Sequence, residues 1–163
     1  MNETEMRERE ALVALERWCS TAEHCCSEAR RKLEPFGLDE SSAERILARL
    51  TGDGYIDEDR YAAAFVHDKV NFAKWGRRKI SYSLRQKQVA EQSILKAMDG
   101  IDEEQYRSMM ESVVRSSYRT QKGKTPYERS MKTLRSVAGR GFEPQLIGEV
   151  LRQITGEDLA PQD

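Results

Sequence analysis

GYIDEDRYAAAF, residues 54–65, returns in shortened form at residues 100–106 as GIDEEQY. The six-residue cores, IDEDRY and IDEEQY, stand 45 positions apart. In each copy an Asp, Asp57 or Asp102, is placed to cap a helix: its carboxylate can accept a backbone N–H while its charge favours the positive helix end. Ile56 with Tyr61, and Ile101 with Tyr106, have the spacing of a hydrophobic staple across that cap. Each copy therefore starts a helix at a fixed angle. A helix start that recurs at this period predicts a repeat protein whose units stack on one another.

Outward from these copies, the remaining segments fall into helices of similar length. Ala11, Leu12, Leu15, Trp18, Cys19 and Ala22 give one apolar face to a helix over residues 7–24. A second helix is expected over 27–34, stopped by Pro35 and Gly37, and a third begins at a capping box of Ser41 with Glu44 and ends at Gly52. After Asp57, Tyr61, Phe65 and Phe72 form a seam that Trp75 and Gly76 close. In the segment GRRKISYSLRQKQV, Ile80 and Leu84 face inward while Arg77, Arg78, Lys79, Arg85 and Lys87 occupy the outer surface; Ile94, Leu95 and Met98 make a further short helix. After Asp102 come a stripe of Tyr106, Met109, Met110, Val113, Val114 and Tyr118, a basic loop, and a helix started by Thr125, Pro126 and Glu128, with Met131, Leu134 and Val137 inside and Arg129, Lys132, Arg135 and Arg140 outside. Pro144 opens the last helix, with Leu146, Ile147, Val150, Leu151 and Ile154 as its apolar face. Leu33, Leu84 and Leu134 are equivalent positions, 51 and 50 residues apart. No strand-type alternation competes with this spacing. The expected fold is all-α: a tandem array of three three-helix, helix-turn-helix-like repeats at 7–53, 54–100 and 101–155, elongated and curved, with a flexible tail over 156–163. A compact bundle of the same helices is the alternative.

The 163 residues are 34% charged and 38% hydrophobic, with a net charge of −1. No apolar run reaches the length of a membrane span and the N-terminus is charged rather than signal-like, which predicts a cytoplasmic protein without a membrane partner; the terminal units are suited to cap a monomer. Three cysteines cannot all pair within one chain. The near-zero total hides segregation. From Lys69 to Lys87 there are seven basic residues and no acid, and from Arg115 to Arg140 eight basic residues and one acid, Glu128. Between them, Asp99 to Glu111 holds five acids and one Arg. Such blocks can present a basic and an acidic stripe on one body.

Signals for catalysis or cofactors are weak. Cys19, His24, Cys25 and Cys26 lack the paired spacing of structural zinc sites and read better as buried thiols, so no metal is assigned. Gly123-Lys124-Thr125 ends like a phosphate-binding loop, but the Gly required five positions earlier is Tyr118 and no strand precedes it. Residues 57–68 have the length of a calcium loop, but Ala62 replaces its turn glycine. His24 and His67, the two histidines, stand near no nucleophile in a plausible motif. The expectation is a protein that is not an enzyme and uses no cofactor. Trp75 and Tyr82 lie within the basic block and could stack on bases, although core positions near helix junctions suit them better.

The chain resembles the RecX family of bacterial regulators of the RecA recombinase. The resemblance rests on GYIDEDRYAAAF, on WGRRKISYSLRQKQV and on AGRGFEPQLIGEVL, in order over roughly residues 10–154. Gln88 stands where the family pattern has a Gly. The resemblance implies tandem three-helix repeats and a non-catalytic protein that binds the RecA filament on single-stranded DNA, lowers its recombinase and ATPase activity, and so modulates DNA repair, recombination and the SOS response. Basic middle helices suit such a target, through contacts to phosphates or to acidic protein surface. The candidate contacts are Arg77, Arg78, Lys79, Arg85 and Lys87, then Arg129, Lys132, Arg135 and Arg140. The competing expectation is a stand-alone DNA-binding protein, acting on single-stranded or duplex DNA without RecA.

Overall fold

The computed structural model describes residues 1–156, and within them every regular element is helical. The helices are α1 (Glu3–Thr21), α2 (Cys26–Leu33), α3 (Glu40–Gly52), α4 (Glu58–Asp68), α5 (Arg77–Gln86), α6 (Glu91–Asp99), α7 (Glu103–Thr120), α8 (Pro126–Ala138) and α9 (Pro144–Thr155). A single 3-10 turn, Glu34–Phe36, follows α2, and a π-helical turn, Lys69–Ala73, follows α4. The expected tail lies, apart from Gly156, outside the described residues.

Both copies of the repeated sequence start helices as expected. Asp57 Oδ1 accepts the Arg60 N–H at 3.0 Å, and Asp102 Oδ1 accepts the Gln105 N–H at 2.9 Å. Ile56, Tyr61 and Tyr106 are buried, and Ile101 is partly so. The cap of α3 differs: Asp39, not Ser41, accepts the Ser42 N–H at 2.7 Å. A carboxylate with several lone pairs outcompetes a hydroxyl two residues on, and Ser41 instead receives an Arg45 N–H. Thr125 caps α8 as expected.

The described residues form two compact units. The first comprises 1–64 and 84–97; the second comprises 65–83 and 98–156, so α4 and α5 each run from one to the other. In the first, α1, α2 and α3 pack mutually around Leu15, Leu33, Ile46, Leu50 and Ile56. Cys25 is buried and Cys19 and Cys26 half-buried, all as free thiols, and burial pushes each of them up. Trp18 stacks on His24 at 3.5 Å between ring centroids. In the second unit, α7, α8 and α9 pack mutually around Tyr106, Val114, Val137, Phe142, Ile147 and Leu151.

The end of α5 shows what Gln88 does where a glycine would be at ease. Val89 N–H bonds to the Leu84 carbonyl at 3.1 Å and Gln88 N–H to the Arg85 carbonyl at 2.9 Å, a Schellman ending closed by the buried pair Leu84 and Val89. The motif needs a left-handed residue, and Gln88 takes that place with φ +62°. At the end of α3 the same role falls to Gly54, φ +80°. A side chain in this conformation costs about 1 kcal/mol relative to glycine. Gln88→Gly is therefore expected to raise stability by about 0.5–1 kcal/mol, read as a higher urea midpoint at unchanged m-value; a lower midpoint would contradict it.

Candidate nucleic-acid interface

The basic segment at the start of α5 and the turn between α8 and α9 are brought together in the second unit by backbone contact. Gly76 N–H donates to the Arg140 carbonyl at 2.9 Å, and Arg78 N–H to the Gly141 carbonyl at 3.0 Å. This approach is possible only without side chains: a Cβ on Gly76 would lie 2.2 Å from the Gly141 carbonyl carbon, and one on Gly141 2.3 Å from Lys79 Cβ. Gly141 also has φ +96°. WGRRK and AGRGF, far apart in the chain, thus form one site, with Arg78, Lys79 and Arg140 around the crossing.

Helix α5 opens with three cations and no acid, the reverse of what the helix dipole favours. The compensation comes from elsewhere in the unit. Tyr106 Oη accepts the Arg77 N–H at 3.0 Å and donates its own proton to Glu143. The Arg77 guanidinium bonds Glu143 at 2.9 Å and Glu103, and lies 3.9 Å from the centroid of the Tyr106 ring. Burial, and after it the adjoining Glu143 carboxylate, push the Tyr106 hydroxyl well above its ordinary range. The hydroxyl therefore keeps its proton and remains the donor to Glu143.

The nine candidate cations consequently do different things. Arg77, expected on the outer surface, is turned inward by these partners. Arg129, also expected outside, is half-buried; its Nε donates to the Tyr118 carbonyl at 2.8 Å, and its guanidinium covers the Tyr118 ring at 4.1 Å. Arg85 forms a two-point pair with Glu91, and Lys87 reaches Glu28 at 3.4 Å, both within the first unit. Lys132 is exposed, bonds the Lys122 carbonyl at 2.8 Å and pairs with Glu128 at 3.5 Å. Arg140 donates to the Ala73 carbonyl at 3.3 Å. Arg78 and Arg135 are exposed, and their side chains have no partner among the described residues.

The aromatics in the basic block also depart from expectation. Trp75 is half-buried, with Lys69 and Lys79 ammonium groups 4.5 and 4.1 Å from its ring centroid. Tyr82 is 63% exposed rather than in the core, because it follows Arg78 by one helical turn on the outward side of α5. Phe72, expected in the seam of α4, is 78% exposed. The π-helical turn shifts the register there by one residue and carries Phe72 off the inward face. The sequence reading gave no role to Lys74, which ends that turn at φ +55°.

Among the described residues no helix is long and apolar enough to cross a membrane. A family model described as the second three-helix domain of RecX matches residues 57–98, the span from the α4 cap to α6. A regulatory protein RecX of Clostridium perfringens is 26% identical over 133 residues, covering 80% of this chain and 62% of the relative. The chain therefore spans somewhat under two thirds of that relative's length. A regulatory protein RecX of a Mycobacterium species is 29% identical over 136 residues, covering 80% of this chain and 74% of the relative. A crystal structure of regulatory protein RecX superposes with a TM-score of 0.79 at 24% identity, over 92% of this chain and 73% of that one.

Proposed function

Because the chain belongs to the RecX family, we propose that it binds the RecA filament on single-stranded DNA and lowers RecA recombinase and ATPase activity by binding alone. The observation that carries this reading is the glycine crossing of the second unit, which gathers Arg78, Lys79 and Arg140 while Arg77 neutralises the nearby acids. Cations left without acidic partners suit a negatively charged target, whether phosphate or carboxylate. Contact falls to Arg78 and Arg135 first, then to Lys79 and Arg140, with Lys132, paired with Glu128, contributing less. Arg85 and Lys87, each already paired with a glutamate, contribute less. Tyr82 shares the outward side of α5 with Arg78 and offers a ring to an unstacked base.

The test is RecA ATPase on single-stranded DNA with increasing amounts of the protein, using RecA from the same source. Arg78→Glu combined with Arg135→Glu is expected to raise the concentration needed for half-inhibition at least tenfold with unchanged helical circular dichroism. Equal inhibition by the parent and the double variant would remove these two residues from the interface. No inhibition by the parent, with salt-sensitive binding to DNA alone, would favour a DNA-binding protein that acts without RecA.

A further inference from the structure

Within the second unit a groove of about 350 Å³ runs between α7 and α8. Lys74 and Arg140 line it, together with Ser116, Ser117 and Gln121 of the α7 side and Ser136 of α8. No carboxylate lines it. The side-chain hydroxyls of Ser116, Ser117 and Ser136 have no partner among the described residues. A cavity offering rotatable O–H donors, an amide and two cations, with no competing acid, matches the donor requirement of a phosphate group. Lys74 is placed at the groove as the left-handed residue that ends the π-helical turn, φ +55°.

We propose that this groove binds a phosphate group, and that in the working protein the phosphate is one of the backbone of a single strand. As an account of where the strand is held, the inference rests on the reading above; as a binding site it fails or stands separately, because its test contains no RecA. An acidic side chain from a protein partner is the less suitable occupant. The two anionic oxygens of a carboxylate lie in one plane, whereas those of a phosphodiester are set tetrahedrally with two ester oxygens beside them, which suits donors arriving from both walls of the groove.

The probes are a fluorescein-labelled fifteen-residue oligothymidylate, followed by anisotropy at 50 and 200 mM salt, and inorganic phosphate, followed by amide chemical shifts. Ser116→Glu with Ser136→Glu places a carboxylate on each wall without touching any hydrogen bond described above. Its expected effect is at least tenfold weaker oligothymidylate binding. Lys74→Gln is expected to weaken binding about threefold and to make the logarithmic salt dependence shallower by about 0.7. Phosphate is expected to shift the amides of Ser117 and Gln121 in the parent and not in the double variant. Phosphate binding with oligothymidylate affinity unchanged in both variants would keep the anion site but overturn its role for a strand. Parent-like binding of both probes by the double variant would overturn the site altogether.

Discussion

Gly76→Ala is expected to destabilise the protein by about 3 kcal/mol or more, a large share of the stability of a chain this size. The added methyl carbon would stand 2.2 Å from the Gly141 carbonyl carbon and 2.3 Å from the Phe142 nitrogen. Those are backbone atoms that no rotamer change can move. Relief requires the two segments to separate, which weakens the Gly76–Arg140 and Arg78–Gly141 hydrogen bonds at about 1 kcal/mol each and loosens fully buried Phe142. Gly141→Ala should cost at least as much, since its φ of +96° adds backbone strain to the 2.3 Å approach to Lys79 Cβ. Gly148→Ala is the control. It lies within α9 with nothing inside 4 Å of its would-be Cβ, and should gain about 0.5–1 kcal/mol from helix propensity. Urea unfolding of the three variants decides the matter. A Gly76→Ala midpoint equal to that of the parent would mean that the crossing yields easily.

These glycines mark the boundary of what could be read from the chain. Helix starts were legible because a cap and its staple are local: Asp57, Ile56 and Tyr61 sit within five residues, as do Asp102, Ile101 and Tyr106. Apolar faces were legible for the same reason, and Leu33 and Leu84 are buried and Leu134 partly buried, as the repeat alignment expects. Gly76 and Gly141 could be seen only as breaks, because their meeting is a contact between segments 65 residues apart. Phe72 was misplaced because helical spacing assumes 3.6 residues per turn, and a π-helical turn is invisible to that assumption. Nor did the basic run from Lys69 to Lys87 distinguish a cation that meets solvent from one that meets a glutamate. Glu103, Glu143 and Tyr106 make that distinction, and they lie in a different part of the sequence.

Arg77→Met and Arg78→Met should separate the two kinds of cation, although the residues are adjacent. Methionine keeps the length of the aliphatic stem and removes the charge, so packing changes least. The side chains of Arg77 and Glu143 are each only 26% exposed, and Glu103 shares the guanidinium. Removing Arg77 leaves the Glu143 carboxylate with Tyr106 as its remaining partner at a site poorly solvated for a charge. Breaking a fully buried pair costs about 3–5 kcal/mol, and the residual exposure here brings the expectation to about 2. The loss should reappear in Tyr106→Phe, at about 1–2 kcal/mol, because that change deprives both the Arg77 N–H and Glu143 of the same hydroxyl. Residues joined in one network couple, so Arg77→Met with Tyr106→Phe should lose less than the sum of the single variants. Arg78→Met, whose side chain has no partner among the described residues, should stay within about 0.5 kcal/mol of the parent in urea unfolding while weakening oligothymidylate binding and inhibition of RecA ATPase. If instead Arg77→Met were as stable as the parent and Arg78→Met were not, the inward and outward assignments at the start of α5 would have to be exchanged, and with them the choice of residues proposed to meet the filament.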